Sequence, residues 1–153
     1  MPFNFAVDVV CYVGFTGTQR GMTSHQKKEV RRILQDLNPE RAHHGDCVGA
    51  DADFHAICDA MRIAVVLHPP TDPKKRAFCE GSSHVRLPRP YLDRNHDIVR
   101  MTGCLIATPG ERDEQLRSGT WATVWHARKC NRQIYLIFPN GDVVIENGQN
   151  NRG

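Results

Sequence analysis

Residues 7–23, VDVVCYVGFTGTQRGMT, decide the fold class. The apolar run at residues 7–15 predicts a strand that is buried on both faces, and the glycine turn at residues 16–18 is expected to end it. Thr23 and Gln26 then have the spacing of a capping box, which predicts the start of a helix. Apolar residues recur at helical spacing from Val30 to Leu37, and Asn38-Pro39 is expected to end the helix.

The same alternation of strand and helix continues along the chain. Strands are predicted at residues 41–44, 63–67, 104–107, 134–138 and 143–145, and helices at 50–61, 91–101 and 119–130. Residues 68–90 are predicted to form a long functional loop with a helical turn at 74–79. This pattern predicts an α/β protein with helices on both faces of a mostly parallel sheet, and with an antiparallel edge strand at 143–145. We expect one domain over residues 1–153, with a frayed tail at 147–153.

Composition excludes several classes of protein. The chain has 153 residues, of which 40% are hydrophobic and 24% charged, and its net charge of +3 is small for a dedicated duplex-DNA binder. No apolar stretch is long enough to span a membrane, and Asp8 interrupts the apolar N-terminal run, so we expect neither a membrane partner nor a secretory signal. The six cysteines include no CxxC pair and are expected to be reduced, in a cytoplasmic chain.

Three glycine-bearing turns, each between a predicted strand and a predicted helix, carry the candidate ligand-binding residues. Because loops after parallel strands share one edge of the sheet, the turns are expected to meet there, where backbone N–H groups at helix N-termini can bind a phosphate. An ordinary glycine turn is the alternative for the first of them. In the second, Asp46 could cap the helix at 50–61, and in the third, Ser118 could cap the helix at 119–130. The candidates are Gly14, Thr16, Gly17, Thr18 and Arg20 in the first turn, Gly45, Asp46, Gly49, Ala50 and Asp51 in the second, and Arg117, Ser118, Gly119, Thr120 and Thr123 in the third.

Other polar and aromatic residues allow more than one interpretation. A metal site built from His43, His44, Asp46, Asp51 and His55 is disfavoured, because no zinc spacing is matched and adjacent histidines on a strand point to opposite faces. Arg94 and Asn95 could bind a ligand or lie on a solvated helix face. Trp121 and Trp125 could pack in the core or stack on a base. The sequence predicts no metal and no bound cofactor.

Four segments together resemble the SLOG superfamily, which includes the LOG-type phosphoribohydrolases and the DNA-processing protein A family. They are the glycine turn at 14–21, HGDCVGADADFH at 44–55, YLDRNHDIV at 91–99 and RSGTWATVWHARK at 117–129, the last followed by Pro139-Asn140-Gly141. The resemblance extends over residues 9–142 and is strongest to the small YspA- and YpsA-like members. It implies a Rossmann-like three-layer sandwich, and a nucleotide-derived ligand whose phosphate lies on the glycine turns and near Arg94 and Asn95. Related folds commonly pair through their helices, so a homo-oligomer is expected.

The resemblance leaves catalysis open. The LOG hydrolases carry P-G-G-x-G-T-x-x-E, in which the glutamate is catalytic. Here Gly119-Thr120 matches, but Thr123 stands in the place of the glutamate, and threonine cannot stabilise an oxocarbenium ion as a carboxylate does. A carboxylate could instead come from Asp46, Asp51 or Glu111.

Three functions are therefore expected in descending order. The first is a sensor or sequestering module for an ADP-ribose-like, NAD-like or nucleoside phosphate ligand. The second is an N-glycosidic hydrolase of nucleoside monophosphates or NAD-like compounds. The third is single-stranded nucleic-acid binding through basic residues, with Tyr91 or Trp121 stacking on bases. The basic residues in question are Lys74, Lys75, Arg76, Arg86, Arg89 and Arg94.

Overall fold

The computed structural model describes residues 10–148. These residues form a seven-stranded sheet with four helices. The strands are β1 (Tyr12–Gly17), β2 (Arg41–His44), β3 (Ala64–Leu67), β4 (His84–Val85), β5 (Cys104–Thr108), β6 (Gln133–Ile137) and β7 (Val143–Glu146). The helices are α1 (Ser24–Leu37), α2 (Ala50–Ala60), α3 (Tyr91–Arg100) and α4 (Gly119–Lys129). Residues 7–9 of the predicted first strand, and the predicted frayed tail from residue 149 onward, lie outside the described residues.

The strand order is β4-β3-β2-β1-β5-β6-β7, and only β6 and β7 pair antiparallel. Alternate residues of the central strands face opposite layers. In β5, Cys104 and Ile106 pack with apolar residues of α1 and α2, whereas Leu105 and Ala107 pack with residues of α3 and α4. The predicted α/β sandwich, with helices on both faces and an antiparallel edge strand, is confirmed.

The start of α1 follows the sequence pattern closely. The Thr23 side chain accepts a hydrogen bond from the Gln26 N–H at 3.1 Å, and the Gln26 Oε1 accepts one from the Thr23 N–H at 3.0 Å. Gln26 is buried, and its Nε2 also donates to the carbonyls of Pro109 and Ile137, at 2.9 Å each. The predicted capping box therefore starts α1 and also ties it to the ends of β5 and β6.

The limits of β1 differ from the prediction. The strand begins at Tyr12 and continues through the glycine turn that was expected to end it, because Thr16 and Gly17 still pair with Ala107 and Thr108 of β5. The carboxyl ends of the two central strands therefore lie side by side, beneath the loops that follow them.

The predicted helical turn at residues 74–79 is confirmed only at its start, because the Lys75 and Arg76 N–H groups donate to the Asp72 and Pro73 carbonyls. From Lys75 onward the segment pairs with the turn after β2 instead, where Val48 N–H donates to the Lys75 carbonyl and Ala77 N–H to the Asp46 carbonyl. The two-residue strand β4 follows it and pairs with β3, which was not expected. Among the described residues, no helix combines the length and apolar character needed to cross a membrane.

Candidate functional site

A cleft of about 460 Å³ opens at the carboxyl edge of the sheet, as expected for a ligand site in an open parallel sheet. All three glycine turns contribute to its walls, and α3 adds a fourth side. The predicted residues that line it are Thr16, Gly17, Thr18, Arg20, Gly45, Asp51, Arg94, Asn95, Glu111, Arg117, Ser118, Gly119 and Thr120. That these residues bind a ligand stays a prediction, but the structure brings them together.

Five predicted site residues lie outside this lining: Gly14, Asp46, Gly49, Ala50 and Thr123. Three of them, Gly14, Ala50 and Thr123, pack behind the walls. A Cβ at Gly14 would lie 3.0 Å from Ile98 Cγ2, so this glycine lets α3 pack closely on β1. Ala50 is fully buried, and its N–H donates to the Thr18 carbonyl at 2.9 Å. The Thr123 hydroxyl donates back to the Gly119 carbonyl at 2.8 Å within α4.

Asp46 does not cap α2. The cap position is Gly49, which has no side chain to accept a hydrogen bond, and the Asp46 carboxylate points toward the segment after β3 instead. There it accepts hydrogen bonds from Arg76 Nε at 2.8 Å and from the Cys79 N–H at 2.9 Å. Because Asp46 is fully buried by these contacts, its carboxylate is a structural anchor outside the cleft lining.

Asp51 is the buried carboxyl group of the cleft. It lies in the first turn of α2, is 6% exposed, and accepts a hydrogen bond from the Cys47 N–H at 3.1 Å. Burial raises the pKa of Asp51 to about 6, although the Arg94 guanidinium and backbone N–H donors act in the opposite direction. A carboxyl group with this pKa is divided between its two protonation states near pH 6.

The Arg94 side chain is buried in the wall of the cleft and joins the elements that form it. Both Arg94 and Asn95 are buried, so the alternative of a solvated helix face is wrong. The Arg94 guanidinium donates to the carbonyls of Tyr91, Gly45 and His68 and to the Cys47 sulfur. These contacts use four of its five N–H groups and join α3 to the ends of β2 and β3. Most of its capacity for binding a phosphate is therefore already committed.

The exposed cations of the cleft come from separate segments. Arg20 follows β1, Arg117 precedes α4, and Lys75, which sequence analysis included only in a nucleic-acid alternative, extends from the segment after β3. The Lys75 ammonium lies 5.7 Å from the centre of the Tyr91 ring, which also lines the cleft. The run of basic residues at 74–76 was the signal for Lys75, but a solvated charge run has the same sequence.

The N-terminus of α4 offers backbone donors to the cleft. Ser118 caps the helix, because its hydroxyl accepts a hydrogen bond from the Trp121 N–H at 3.2 Å. Within the described residues, the N–H groups of Gly119 and Thr120 have no hydrogen-bond acceptor. Trp121 itself is 1% exposed in the core, and it does not line the cleft.

Two buried histidine pairs lie near the ends of β2 and β3. His44 Nδ1 accepts a hydrogen bond from the Asp46 N–H at 3.0 Å, so the proton of the neutral ring is on Nε2, which lies 2.9 Å from His55 Nδ1. His55 Nε2 donates to the Glu80 carbonyl at 2.6 Å. His43, on the opposite face of β2, places its Nδ1 2.8 Å from His68 Nε2.

These hydrogen bonds do not fit a metal ion. The ligand atoms of His44, His55 and Cys79 lie within 4.8 Å of one another, the spacing of a possible metal site. The Nε2 of His44 carries a proton, however, because its Nδ1 faces a backbone N–H donor, and a metal needs the lone pair of that nitrogen. Burial also lowers the pKa of His44 well below its usual value, which keeps the ring neutral.

Comparison with solved structures identifies the fold. The chain superposes on the molybdenum cofactor binding protein of Rippkaea orientalis with a TM-score of 0.65 and 14% identity, over 84% of this chain and 76% of that one. The DNA processing protein A of Helicobacter pylori gives a TM-score of 0.60 and 17% identity, over 94% and 72% of the two chains. TM1055 gives 0.61 and 14% identity, over 81% and 72%. The chain has a Rossmann-like α/β fold.

The Rossmann-like sandwich that the sequence resemblance implied is thereby confirmed as the fold. No protein-family model and no curated protein matches the chain. Of the structural neighbours, one is a cofactor-binding protein and another binds single-stranded DNA.

Proposed function

We propose that the cleft binds a nucleotide or nucleotide-derived ligand, of the ADP-ribose, NAD or nucleoside phosphate type, and that the protein acts as a sensor or sequestering module for it. One observation carries this proposal: three separate segments present the cations Arg20, Lys75 and Arg117 to a single cleft, and the N-terminus of α4 adds unbonded N–H groups. Helix N-termini and arginine side chains are the groups that recognise phosphate oxygens.

The charge distribution supports a phosphate-bearing ligand. The Arg20, Lys75 and Arg117 side chains are exposed, so a ligand can reach them without breaking a buried contact. The Gly119 and Thr120 N–H groups add donors that need no side chain. The Tyr91 ring is 45% exposed and gives the cleft an aromatic surface, on which a base could stack.

Hydrolysis of an N-glycosidic bond is the second candidate, because Asp51 lines the same cleft. Its raised pKa suits a general acid, which would give its proton to the departing base while water adds to the anomeric carbon. Thr123 stands in the place of the catalytic glutamate of the LOG hydrolases but has no carboxylate, and its hydroxyl donates a hydrogen bond to the Gly119 carbonyl within α4. Binding ranks first because Asp51 also stabilises its own turn through the Cys47 N–H.

Native mass spectrometry tests the proposal directly. The purified protein is incubated with AMP, NAD and ADP-ribose, and a retained intact ligand mass supports a binding module. Free base together with ribose phosphate supports the hydrolase. The same spectra report the number of chains, which tests the expected homo-oligomer.

Two matched variants make the test specific to the cleft. Arg117→Gln removes a cation that lines the cleft and is expected to weaken ligand retention. Arg112→Gln removes a cation of the same loop that bonds to Asp142 outside the lining, and it is expected to bind as the wild type does. Equal binding by both variants, or no binding of any of the three compounds, contradicts the proposal. Salt-sensitive binding of an oligonucleotide in their place supports the nucleic-acid alternative.

A further inference from the structure

One of the cations that line the cleft already pairs with a carboxylate side chain of the protein. Glu111 Oε2 lies 3.0 Å from Arg20 Nη2, and both side chains line the cleft. The pair joins the loop after β1 to the loop after β5. Thr18 helps to hold the arginine, because its hydroxyl oxygen lies 3.3 Å from the Arg20 backbone N and 3.5 Å from Arg20 Nε.

This ion pair can be opened at low cost. The Arg20 side chain is 72% exposed and that of Glu111 36%, and exposed pairs of this kind contribute little to stability. A phosphate group uses the same planar, two-pronged face of a guanidinium that a carboxylate uses. A phosphate that binds Arg20 at the Nη2 face that Glu111 occupies would therefore have to take the place of Glu111.

The backbone beside Glu111 packs against the Arg20 side chain. A Cβ at Gly110 would lie 2.1 Å from Arg20 Nη2 and 3.3 Å from the Thr18 hydroxyl, so the guanidinium lies against this backbone. The rest of the loop is attached elsewhere, through Arg112 to Asp142 and through Glu114 to Arg128. Glu111 can thus leave Arg20 without detaching the loop.

We propose that Glu111 is a resident anion on Arg20, and that the phosphate of the ligand displaces it on binding. This inference rests on the proposed function and adds a selectivity rule to it. A phosphomonoester dianion competes with the tethered carboxylate for Arg20, whereas an uncharged nucleoside has no group that can replace Glu111. A ligand therefore needs enough negative charge to displace the Glu111 carboxylate from Arg20.

Isothermal titration calorimetry with AMP, inorganic pyrophosphate and adenosine tests the displacement. Glu111→Gln is expected to bind AMP and pyrophosphate about two- to fivefold more tightly than the wild type, the range that corresponds to one exposed ion pair. The affinity for adenosine is expected to stay unchanged. The matched control is Asp113→Asn, which removes the same charge from the same loop at a side chain outside the cleft lining.

A double-mutant cycle shows whether Glu111 acts through Arg20. In an Arg20→Gln background, Glu111→Gln is expected to leave AMP binding unchanged, because the competition has been removed. The displacement is refuted if Glu111→Gln does not tighten AMP binding in the wild type, or if it tightens binding equally in the Arg20→Gln background. Wild-type binding of AMP with no effect of Glu111→Gln removes this inference alone. Absence of binding by every variant to all three probes removes the proposed function as well.

Discussion

The carboxylate of Asp46 lies 2.8 Å from Arg76 Nε and joins the turn after β2 to the segment that follows β3. Its second oxygen accepts the Cys79 N–H at 2.9 Å. Residue 75 is held by the same junction, because its carbonyl accepts the Val48 N–H at 3.0 Å. The contact that buries Asp46 therefore also places Lys75 at the cleft.

Asp46→Ala is expected to lower the free energy of unfolding by about 3 kcal/mol, the low end of the range for breaking a buried ion pair, because Arg76 is partly exposed and can be hydrated. Urea denaturation followed by circular dichroism measures the loss. Asp36→Ala is the control, since Asp36 pairs with Arg32 at the surface and its loss is expected to cost about 0.5 kcal/mol. Similar losses in the two variants would show that Asp46 is not an anchor.

Arg94→Lys is expected to destabilise the protein by about 3 kcal/mol, even though the charge is kept. One ammonium group cannot reach the three carbonyls and the sulfur that the guanidinium contacts at the same time. Thermal denaturation without ligand is the measurement, so that a role in binding does not enter it. Arg31→Lys, at an exposed position of α1, is expected to leave the melting temperature unchanged. A stable Arg94→Lys protein would instead favour a direct role of Arg94 in ligand binding.

Gly49→Ala and Gly81→Ala separate steric contact from backbone strain. Both glycines have positive φ, +92° and +78°, so an alanine is strained at either position. A Cβ at Gly49 would also lie 2.1 Å from the Gln19 carbonyl oxygen, whereas at Gly81 the nearest atom is 3.9 Å away. We expect Gly81→Ala to cost about 1 kcal/mol and Gly49→Ala at least about 3 kcal/mol in chemical denaturation. An equal loss of unfolding free energy in the two variants would mean that the turn after β1 does not pack rigidly on Gly49.

Local sequence patterns were sufficient for most of the fold. The capping box of Thr23 and Gln26, and the apolar periodicity of α1, depend on residues within a few positions of each other. The meeting of three turns at one edge followed from the chain alternation, because parallel strands impose it. The strand β4 was missed, since its two residues are exposed and acquire their structure only by pairing with β3.

Roles that depend on distant partners could not be predicted. Asp46 and Arg76 are 30 positions apart, and Arg94 contacts Gly45 across 49 positions. Nothing near Asp46 in the sequence indicates that its carboxylate turns away from the cleft, and nothing near Arg94 indicates that its donors are already used. The residue types were compatible with ligand binding, and only the tertiary contacts distinguish a wall of the cleft from a group facing into it.

Stability is expected to fall as the pH is lowered from 7 to 5, because buried histidines stay neutral in the folded protein. Burial lowers the pKa of His43 to about 4 and that of His68 to about 3, from the ordinary value of 6.5. Below pH 6.5 the unfolded chain therefore binds protons that the folded protein does not, and each histidine lowers stability by up to about 1.4 kcal/mol per pH unit.

Asp51 has the opposite effect on stability, and the sign of the net change in stability with pH shows which effect is larger. Its pKa is raised to about 6 from 3.8, so the folded protein holds an extra proton between those values, and the stability contributed by Asp51 grows as the pH falls. His43, His44 and His68, whose pKa values are all lowered by burial, outweigh the one carboxyl group and leave a net loss of stability. Urea denaturation at pH 7, 6 and 5 measures this loss. Asp51→Asn is expected to steepen the loss and His43→Asn to reduce it, whereas His25→Gln, at an exposed side chain, keeps the wild-type slope. A stability that is constant or rising toward pH 5 would show that the His43–His68 pair accepts a proton in the folded state.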